Sequence, residues 1–180
     1  MKLIAFSLLM ALALAPQFSS AAALTDVFKG VTYAQPKCYG REYSETDLKT
    51  NPAQTVTQIK AKLMKYSADP KAVSEGLKIE VRLKGEEGLN YHAEFSCMTD
   101  PKGGPAGAVF CAIDCDGGSV TVGSFDSKTM TLKSNGFTIQ GGCGEDGVTK
   151  RLAAAKHGDD IFKLYALPQA FCSDANTHFE

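Results

Sequence analysis

The sequence lacks the patterns by which many catalytic and binding classes are recognised. It contains no Gly-x-Ser-x-Gly nucleophile elbow, no Gly-x-x-x-x-Gly-Lys-Ser/Thr phosphate loop and no Asp-x-Asp-x-Asp calcium loop. The three histidines, His92, His157 and His178, offer neither a catalytic triad nor enough ligands for a zinc site. The formal net charge is −1 at pH 7 and no basic stripe occurs, which argues against nucleic-acid binding. We therefore predict no cofactor and no nucleic-acid partner.

Long apolar runs are also missing beyond the first residues of the chain. An initial lysine is followed by an apolar run from Leu3 to Ala15 and then by small residues, as in a cleavable secretory signal peptide. The run is too short for a membrane span, and no later segment approaches the roughly 18 apolar residues that a span needs. No cysteine precedes Cys38, so no lipid-modified cysteine stands at the cleavage point. We predict a signal peptide over residues 1–23 and a periplasmic or secreted protein without a membrane span, cleaved after Ala21, Ala22 or Ala23.

Residues 24–180 have the length of a single domain, and no internal repeat or Pro/Ser-rich linker divides them. We expect the segment 38–172, between the first and the last cysteine, to form its core. All six cysteines lie within that segment. An even number of cysteines in an exported chain indicates disulfides before a metal or redox site.

Alternation of apolar and polar residues dominates from Val56 to Leu167 and predicts strands. The segment 77–84 is an example, because every second residue from Leu77 to Leu83 is apolar and the others are charged. We predict a mainly β fold, an antiparallel meander of about eight strands closed into a small barrel. A two-sheet sandwich, also held together by disulfides, is the alternative.

Turn dipeptides fix the expected register of the hairpins. Asp116-Gly117 and Asn135-Gly136 suit two-residue type I′ loops, in which both central residues have positive φ. The first loop would set Ile113 opposite Val120, and the second would set Leu132 opposite Ile139. A further hairpin, closed by residues 85–88, would pair Leu83 with Tyr91.

Two segments are less strand-like. Residues 43–52 predict one helical turn that begins after Ser44 and ends at Pro52, and residues 148–156 fit a short helix or a loop. The aromatic residues near the mature start are expected to close one end of the core: Phe28, Tyr33, Tyr39 and Tyr43.

The strand pattern indicates how the cysteines pair. Cys97 and Cys111 lie symmetrically about the loop 100–107, so neighbouring strands would place them opposite each other. Cys111 and Cys115 cannot join, because an extended strand sets them roughly 13 Å apart and a disulfide needs Cα atoms within about 7 Å. From the 15 pairings that six cysteines allow, we predict Cys38–Cys172, Cys97–Cys111 and Cys115–Cys143.

A row of carboxylates follows from the same registers. A hairpin centred on residue 87 sets Glu80 opposite Glu94, and one centred on residue 104 sets Glu94 opposite Asp114. Like charges directly opposite are destabilising, so a bound hard cation such as calcium is one interpretation of the row. Acid–base chemistry on a sugar is another. The alternative is a solvated face with basic partners: Lys60, Lys78 and Arg82.

Three segments, 38–56, 115–118 and 158–164, resemble a family of small exported, cysteine-containing proteins of Gram-negative bacteria that has no assigned function. The likeness rests on Cys38, Tyr39, Arg41, Tyr43, Leu48, Pro52, Gln54, Val56, Cys115 to Gly118, Asp159, Asp160 and Phe162. In that family a histidine often stands where Asp47 and Asn51 stand here, so any chemistry of those histidines is lost from this chain. In size and architecture the chain is also similar to exported eight-stranded barrels that inhibit proteases or hold small apolar ligands.

These observations predict an exported, monomeric, non-catalytic binding protein whose partner is an unknown protein or small molecule of the cell envelope. The alternatives are an enzyme that acts on envelope polymers through Glu80, Glu94 and Asp114, and a purely structural envelope protein. A deep apolar cavity would favour the binding protein. Carboxylates grouped in a cleft would favour the enzyme.

Overall fold

An antiparallel sheet makes up most of the computed structural model, which describes residues 23–67, 69, 71, 74–86, 88–99, 108–141, 148–152 and 158–172. In this part of the chain the strands are β1 (Lys37–Glu42), β2 (Val56–Lys65), β3 (Glu75–Leu83), β4 (Tyr91–Thr99), β5 (Val109–Ile113), β6 (Gly118–Phe125), β7 (Thr129–Gly141), β8 (Val148–Leu152) and β9 (Ile161–Ala166). The helices are α1 (Leu24–Val27), α2 (Glu45–Thr50) and a 3-10 turn (Gln169–Cys172). The predicted signal peptide, apart from Ala23, lies outside the described residues.

The sheet closes into a ring at β7. Strands β1 to β6 pair in chain order, β6 pairs with β7, β7 with β9, and β9 with β1. Strand β8 extends the ring at one end, where it pairs with the second half of β7. The closed form that the sequence predicts is therefore confirmed over the two-sheet sandwich, although the ring is uneven.

Alternate side chains of the strands fill the inside of the ring. Those with the largest buried volumes are Tyr91, Phe95, Phe137, Phe162, Ile59, Leu63, Leu77, Ile79, Met130, Leu132, Ile139 and Leu164. Phe95 and Phe137 meet edge to face with their ring centroids 5.3 Å apart. Because a fully buried aliphatic or phenyl side chain contributes about 1.5–3 kcal/mol, this core is the main source of stability.

The β3–β4 register differs from the prediction by two residues. Val81, not Leu83, lies opposite Tyr91, and Glu80 lies opposite His92. The connection between β3 and β4 is longer than predicted because it contains two successive turns. The Glu86 amide donates to the Leu83 carbonyl, and the Leu89 amide donates to the Glu86 carbonyl. A shift of two residues keeps every side chain on its predicted face, so the core is unaffected.

The β5–β6 loop is a two-residue turn, but it lies one position earlier than predicted. Cys115 and Asp116 both have positive φ, 55° and 64°, and the Gly117 amide donates to the Asp114 carbonyl at 3.3 Å. Ile113 consequently lies opposite Gly118 rather than Val120.

The predicted hairpin at Asn135-Gly136 is wrong, because β7 runs through it without a break. β7 changes partners there, from β6 and β9 in its first half to β4 and β8 in its second half. Gly136 has a φ of +83°, and the Ser134 amide donates to the Asp160 carbonyl at 2.7 Å, one pair beyond the last pair of the β7–β9 ladder. The dipeptide therefore bends a strand and does not reverse the chain.

Helix α2 begins as predicted. The Ser44 hydroxyl accepts from the Asp47 amide, and the Asp47 carboxylate accepts from the Ser44 amide, which forms a capping box. Of the aromatic residues near the mature start, Phe28, Tyr39 and Tyr43 are buried, whereas Tyr33 is 63% exposed. Residues 148–152, for which a helix or a loop was expected, form β8.

Two of the three predicted disulfides are present. Cys38 joins Cys172, and Cys97 joins Cys111 across directly paired positions of β4 and β5. Cys115 is exposed and is bridged to no cysteine among the described residues. Its predicted partner, Cys143, lies outside the described residues, so the third bridge stays a prediction.

Candidate functional site

A groove forms on the outside of the ring where the β5–β6 hairpin ends. The hairpin separates β4 from β7 along most of their length, and below its tip the two strands pair directly, with His92 opposite Gln140. The Thr138 amide donates to the Gly117 carbonyl at 2.7 Å and fixes the tip against β7. The topology of the ring therefore creates the groove.

The groove has a volume of about 620 Å³ and a polar, acidic lining. We call it the hairpin-tip groove, and it is lined by His92, Ala93, Glu94, Ile113, Asp114, Cys115, Asp116, Gly117, Thr138 and Gln140. Three of these residues are carboxylates, and no lysine or arginine is among the described residues that line it. The nearby Arg151 guanidinium donates to the Asp116 carbonyl at 3.4 Å. The arrangement suits a ligand that carries positive charge or many hydrogen-bond donors.

The structure separates the predicted carboxylate row into two parts. Glu80 lies opposite Lys60 on β2, with 2.6 Å between the ammonium nitrogen and a carboxylate oxygen. Lys78 lies opposite Glu94, and its ammonium is 3.9 Å from carboxylate oxygens of both Glu80 and Glu94. Glu80 therefore belongs to a ladder of alternating charges with the basic partners that the sequence offered as the alternative. The Lys60–Glu80 pair is largely buried and not solvated, since the two side chains are 5% and 16% exposed.

Glu94 and Asp114 do come together, because both line the hairpin-tip groove. The β4–β5 register centred on residue 104 is confirmed by the pairing of Cys97 with Cys111. Asp114 itself lies just beyond the end of β5, in the turn. No three His, Cys, Asp or Glu side chains within the described ranges are grouped so that they could hold a metal ion, and Glu80 pairs with Lys60 instead. The cation site at Glu80, Glu94 and Asp114 stays a prediction.

The remaining groove residues were not found from the sequence. His92, Thr138 and Gln140 lie at outward positions of β4 and β7, two strands that are distant in the chain. Their polarity fits any solvated strand face, so the alternation pattern does not distinguish them. Asp116 was interpreted only as part of a turn. The one available signal was Asp114, whose predicted register set it beside Glu94.

A second cluster, also missed, joins the β3–β4 turn to β8. Glu86 accepts hydrogen bonds from the Lys150 ammonium and from the buried Tyr91 hydroxyl, and Lys150 lies 5.3 Å from the Tyr91 ring centroid. The bond from Lys150, and then that from Tyr91, hold the pKa of Glu86 below its ordinary value. The same carboxylate raises the pKa of both Tyr91 and Lys150. These contacts fix the β3–β4 turn to β8, next to the pairing of Tyr91 with Gly141, which is a structural role.

Two of the three segments that carry the family resemblance, 38–56 and 158–164, build a corner around α2. Arg41 lies over the Tyr43 ring at 4.5 Å and binds the Asp47 carboxylate at 3.2 Å. Burial is the main cause that raises the pKa of Tyr43 to about 12. The buried Asp159 carboxylate accepts from the backbone amides of Thr55 and Val56 at 3.0 and 3.2 Å. Since these side chains partner one another, their pattern is accounted for by folding.

Comparisons of the chain with models of protein families, with curated proteins and with solved structures found no match. Within the described ranges, no helix is both long enough and apolar enough to cross a membrane.

Proposed function

We propose that this chain is an exported, non-catalytic binding protein that holds its ligand on the outside of the ring, in the hairpin-tip groove. The observation that carries the proposal is the charge of that groove. Glu94, Asp114 and Asp116 line it, and no lysine or arginine is among its described lining residues. Its volume of about 620 Å³ lies within the range typical of small-molecule and peptide sites.

Export is supported by three independent features. Residues 1–23 have the pattern of a cleavable signal peptide. Two disulfides are present, and such bonds form and persist in oxidising compartments such as the periplasm and the exterior. The likeness of residues 38–56 to small exported proteins of Gram-negative bacteria agrees with a periplasmic or secreted location.

The deep apolar cavity expected of a ligand-binding barrel is not found among the described residues, because large side chains fill the ring, so its inside is a poor candidate for the ligand. Tyr91, Phe95 and Phe137 are among the fully buried side chains that fill it. An apolar ligand held inside would have to displace these side chains, and interiors packed to this degree resist added volume. The groove is already open, so binding there leaves the core intact.

A cationic ligand follows from the charge of the groove. Each exposed ion pair adds about 0.2–1 kcal/mol, and three carboxylates together give roughly a tenfold preference for a cationic over a neutral ligand. Lysine- and arginine-containing protein segments and small polyamines have this chemistry. The preference should weaken as the salt concentration rises.

The experiment is a titration of the isotope-labelled, oxidised protein with trilysine, followed by NMR amide shifts. We expect shifts at residues 114–117 and at Gln140. The variant E94Q/D114N/D116N should bind about tenfold more weakly. A control, D26N/E42Q/E45Q, removes the same charge from exposed positions that are distant in sequence from the groove residues. It should bind like the wild type. Equal losses of trilysine affinity in both variants, or amide shifts spread over the whole surface, would contradict the proposal.

An enzyme acting on an envelope polysaccharide is the second candidate, because Glu94 and Asp114 share one groove. Two carboxylates on either side of a scissile bond are what most glycoside hydrolases use. Release of reducing ends from purified peptidoglycan, abolished by Glu94→Gln and unaffected by Glu42→Gln, would establish this candidate over the binding protein. If the protein neither binds trilysine nor cleaves the polymer, a structural envelope protein remains as the third alternative.

A further inference from the structure

We propose that one outer face of the ring is a docking surface for an anionic lipid membrane. We call it the β9 face, and it consists of outward side chains of β9 and of the first half of β7: Ile161, Lys163, Tyr165, Thr129, Thr131 and Lys133. None of these residues lines the hairpin-tip groove. The inference therefore does not rest on the function proposed for that groove.

Alternation along β9 exposes two large apolar side chains on this face. Phe162 and Leu164 are buried in the core, so the residues between and beside them face outward. Of these, Ile161 is 57% exposed and Tyr165 is 46% exposed, with the exposed Lys163 between them. The solvated face of an antiparallel sheet is usually polar, whereas exposed apolar groups that lie together mark a contact surface.

The outward side chains of β7 complete the face. They lie directly opposite those of β9 and are, in order from Ile161, Lys133, Thr131 and Thr129. The two lysines consequently occupy diagonal positions, which in an antiparallel pair are about 7–8 Å apart. Each apolar side chain of β9 has an ammonium or a hydroxyl group directly opposite it.

The charge of the β9 face is positive. Neither β7 nor β9 contains an acidic residue. Within the described part of the chain, neither Lys133 nor Lys163 forms an ion pair, whereas Lys60 on β2 is paired with Glu80. Lys163 lies 6.0 Å from the centroid of the Tyr165 ring, a contact that keeps its positive charge.

Two carboxylates lie near the edges of the face and do not cancel this charge. Asp126, in the turn before β7, accepts from the backbone amides of Lys128 and Thr129, and the exposed Lys128 offsets its charge. Glu42, the last residue of β1, lies beyond the two residue pairs that join β1 to β9. Even with Glu42 counted, the two lysines of the face leave it positive.

A membrane with anionic lipids matches both properties of the face. Lysines near such a surface are attracted by its negative potential. A tyrosine fits the level of the headgroups, because its ring is apolar and its hydroxyl is polar, and an aliphatic side chain such as Ile161 enters the boundary of the acyl chains. A soluble polyanion would contact the lysines and leave Ile161 and Tyr165 in water.

The experiment is co-sedimentation of the intact, oxidised protein with vesicles of phosphatidylglycerol and phosphatidylcholine in equal parts. We expect the protein to bind these vesicles at least about tenfold more strongly than vesicles of phosphatidylcholine alone. Binding should weaken as the salt concentration rises. In nanodiscs of the anionic mixture, a spin-labelled lipid should broaden the amide signals of Lys163 and Tyr165.

Variants separate the electrostatic and the apolar contributions to binding. K133Q/K163Q should bind the anionic vesicles roughly 20-fold more weakly. I161T/Y165T, which keeps the positive charge and the strand propensity, should bind them about tenfold more weakly. The matched control K29Q/K71Q removes the same charge from exposed lysines outside β7 and β9 and should bind like the wild type.

Three results would overturn the proposal: no binding to the anionic vesicles, an equal loss in K29Q/K71Q, or binding of soluble dextran sulfate as tightly as the vesicles with no effect of I161T/Y165T. The last result would make a soluble polyanion the partner. E94Q/D114N/D116N should bind the vesicles at least as strongly as the wild type, because it removes negative charge. That variant distinguishes a failure of the β9 face from a failure of the hairpin-tip groove.

Discussion

Single glycines set how closely β6 approaches β7. A Cβ atom at Gly118 would lie 2.0 Å from the Gly136 carbonyl oxygen and 2.6 Å from the Phe137 Cα. The φ of Gly118 is +96°, a conformation that L-residues rarely adopt. Both strands have glycine here because their backbones are in contact. Gly118 is therefore required for the close approach of β6 to β7 and not for the turn.

We predict that Gly118→Ala lowers the free energy of unfolding by more than about 3 kcal/mol, since backbone strain and overpacking act together. The matched control is Gly85→Ala. Gly85 also has a positive φ, +77°, but no atom lies within 4 Å of the position that its Cβ would take. Only the left-handed backbone conformation therefore lowers the free energy of unfolding of this variant, by about 1 kcal/mol. Urea unfolding of both variants measures the difference. Similar losses at the two sites would show that the close contact does not limit stability.

At the scale of elements, one carboxylate joins the loop before β9 to the start of β2. Asp159 is 1% exposed and accepts from two backbone amides of the 55–56 segment. The Thr55 hydroxyl donates to the same carboxylate oxygen as the Thr55 amide. The bonds hold together segments more than 100 residues apart in the chain. A carboxylate can do this because both of its oxygens accept strongly.

Removal of the Asp159 carboxylate should lower the free energy of unfolding. Asp159→Ala leaves the buried Val56 amide and the part-buried Thr55 amide without their acceptor, and we expect a loss of about 3 kcal/mol in the free energy of unfolding. The adjacent Asp160→Ala is the control, because within the described residues only the backbone carbonyl of Asp160 is seen to accept a hydrogen bond. We expect its loss to stay below about 0.5 kcal/mol. Thermal unfolding monitored by circular dichroism tests both, and equal destabilisation would contradict the role of Asp159.

At the scale of the whole molecule, the ring closes through a short seam between its first and last strands. Only two residue pairs join β1 and β9, Tyr39 with Ala166 and Gly40 with Tyr165. One further bond runs from the Leu167 amide to the Cys38 carbonyl at 2.8 Å. The Cys38–Cys172 disulfide lies beside this seam and spans 134 positions of sequence. The covalent bond therefore reinforces a place where the ladder is only two residue pairs long.

The two disulfides should contribute differently to the free energy of unfolding. In the chain-entropy model, Cys38–Cys172 contributes about 5 kcal/mol and Cys97–Cys111, which spans 14 positions, contributes about 3 kcal/mol. C38S/C172S should therefore unfold at a lower urea concentration than C97S/C111S. If C97S/C111S proves the less stable variant, local packing around the buried pair outweighs the length of the closed loop.

The sequence by itself determined which side chains face inward. Alternation from Leu77 to Leu83 and from Tyr91 to Cys97 assigns the core face correctly, and the same logic brought Cys97 and Cys111 together. The cap of α2 was also readable, because Ser44 and Asp47 act within one helical turn. These features depend on spacing within a strand or helix, or on symmetry about a single loop.

Tertiary structure alone decided the β3–β4 and β5–β6 registers, the continuous β7 and the hairpin-tip groove. A register shifted by two residues leaves every face unchanged, so alternation cannot detect it, and this is why Glu80 was set opposite Glu94 and not His92. Asn135-Gly136 favours a turn locally, but pairing on both sides holds β7 in one strand. The groove depends on His92 meeting Gln140 across 48 positions of sequence. Only ring closure brings such residues together, because no local pattern records which distant strands become neighbours.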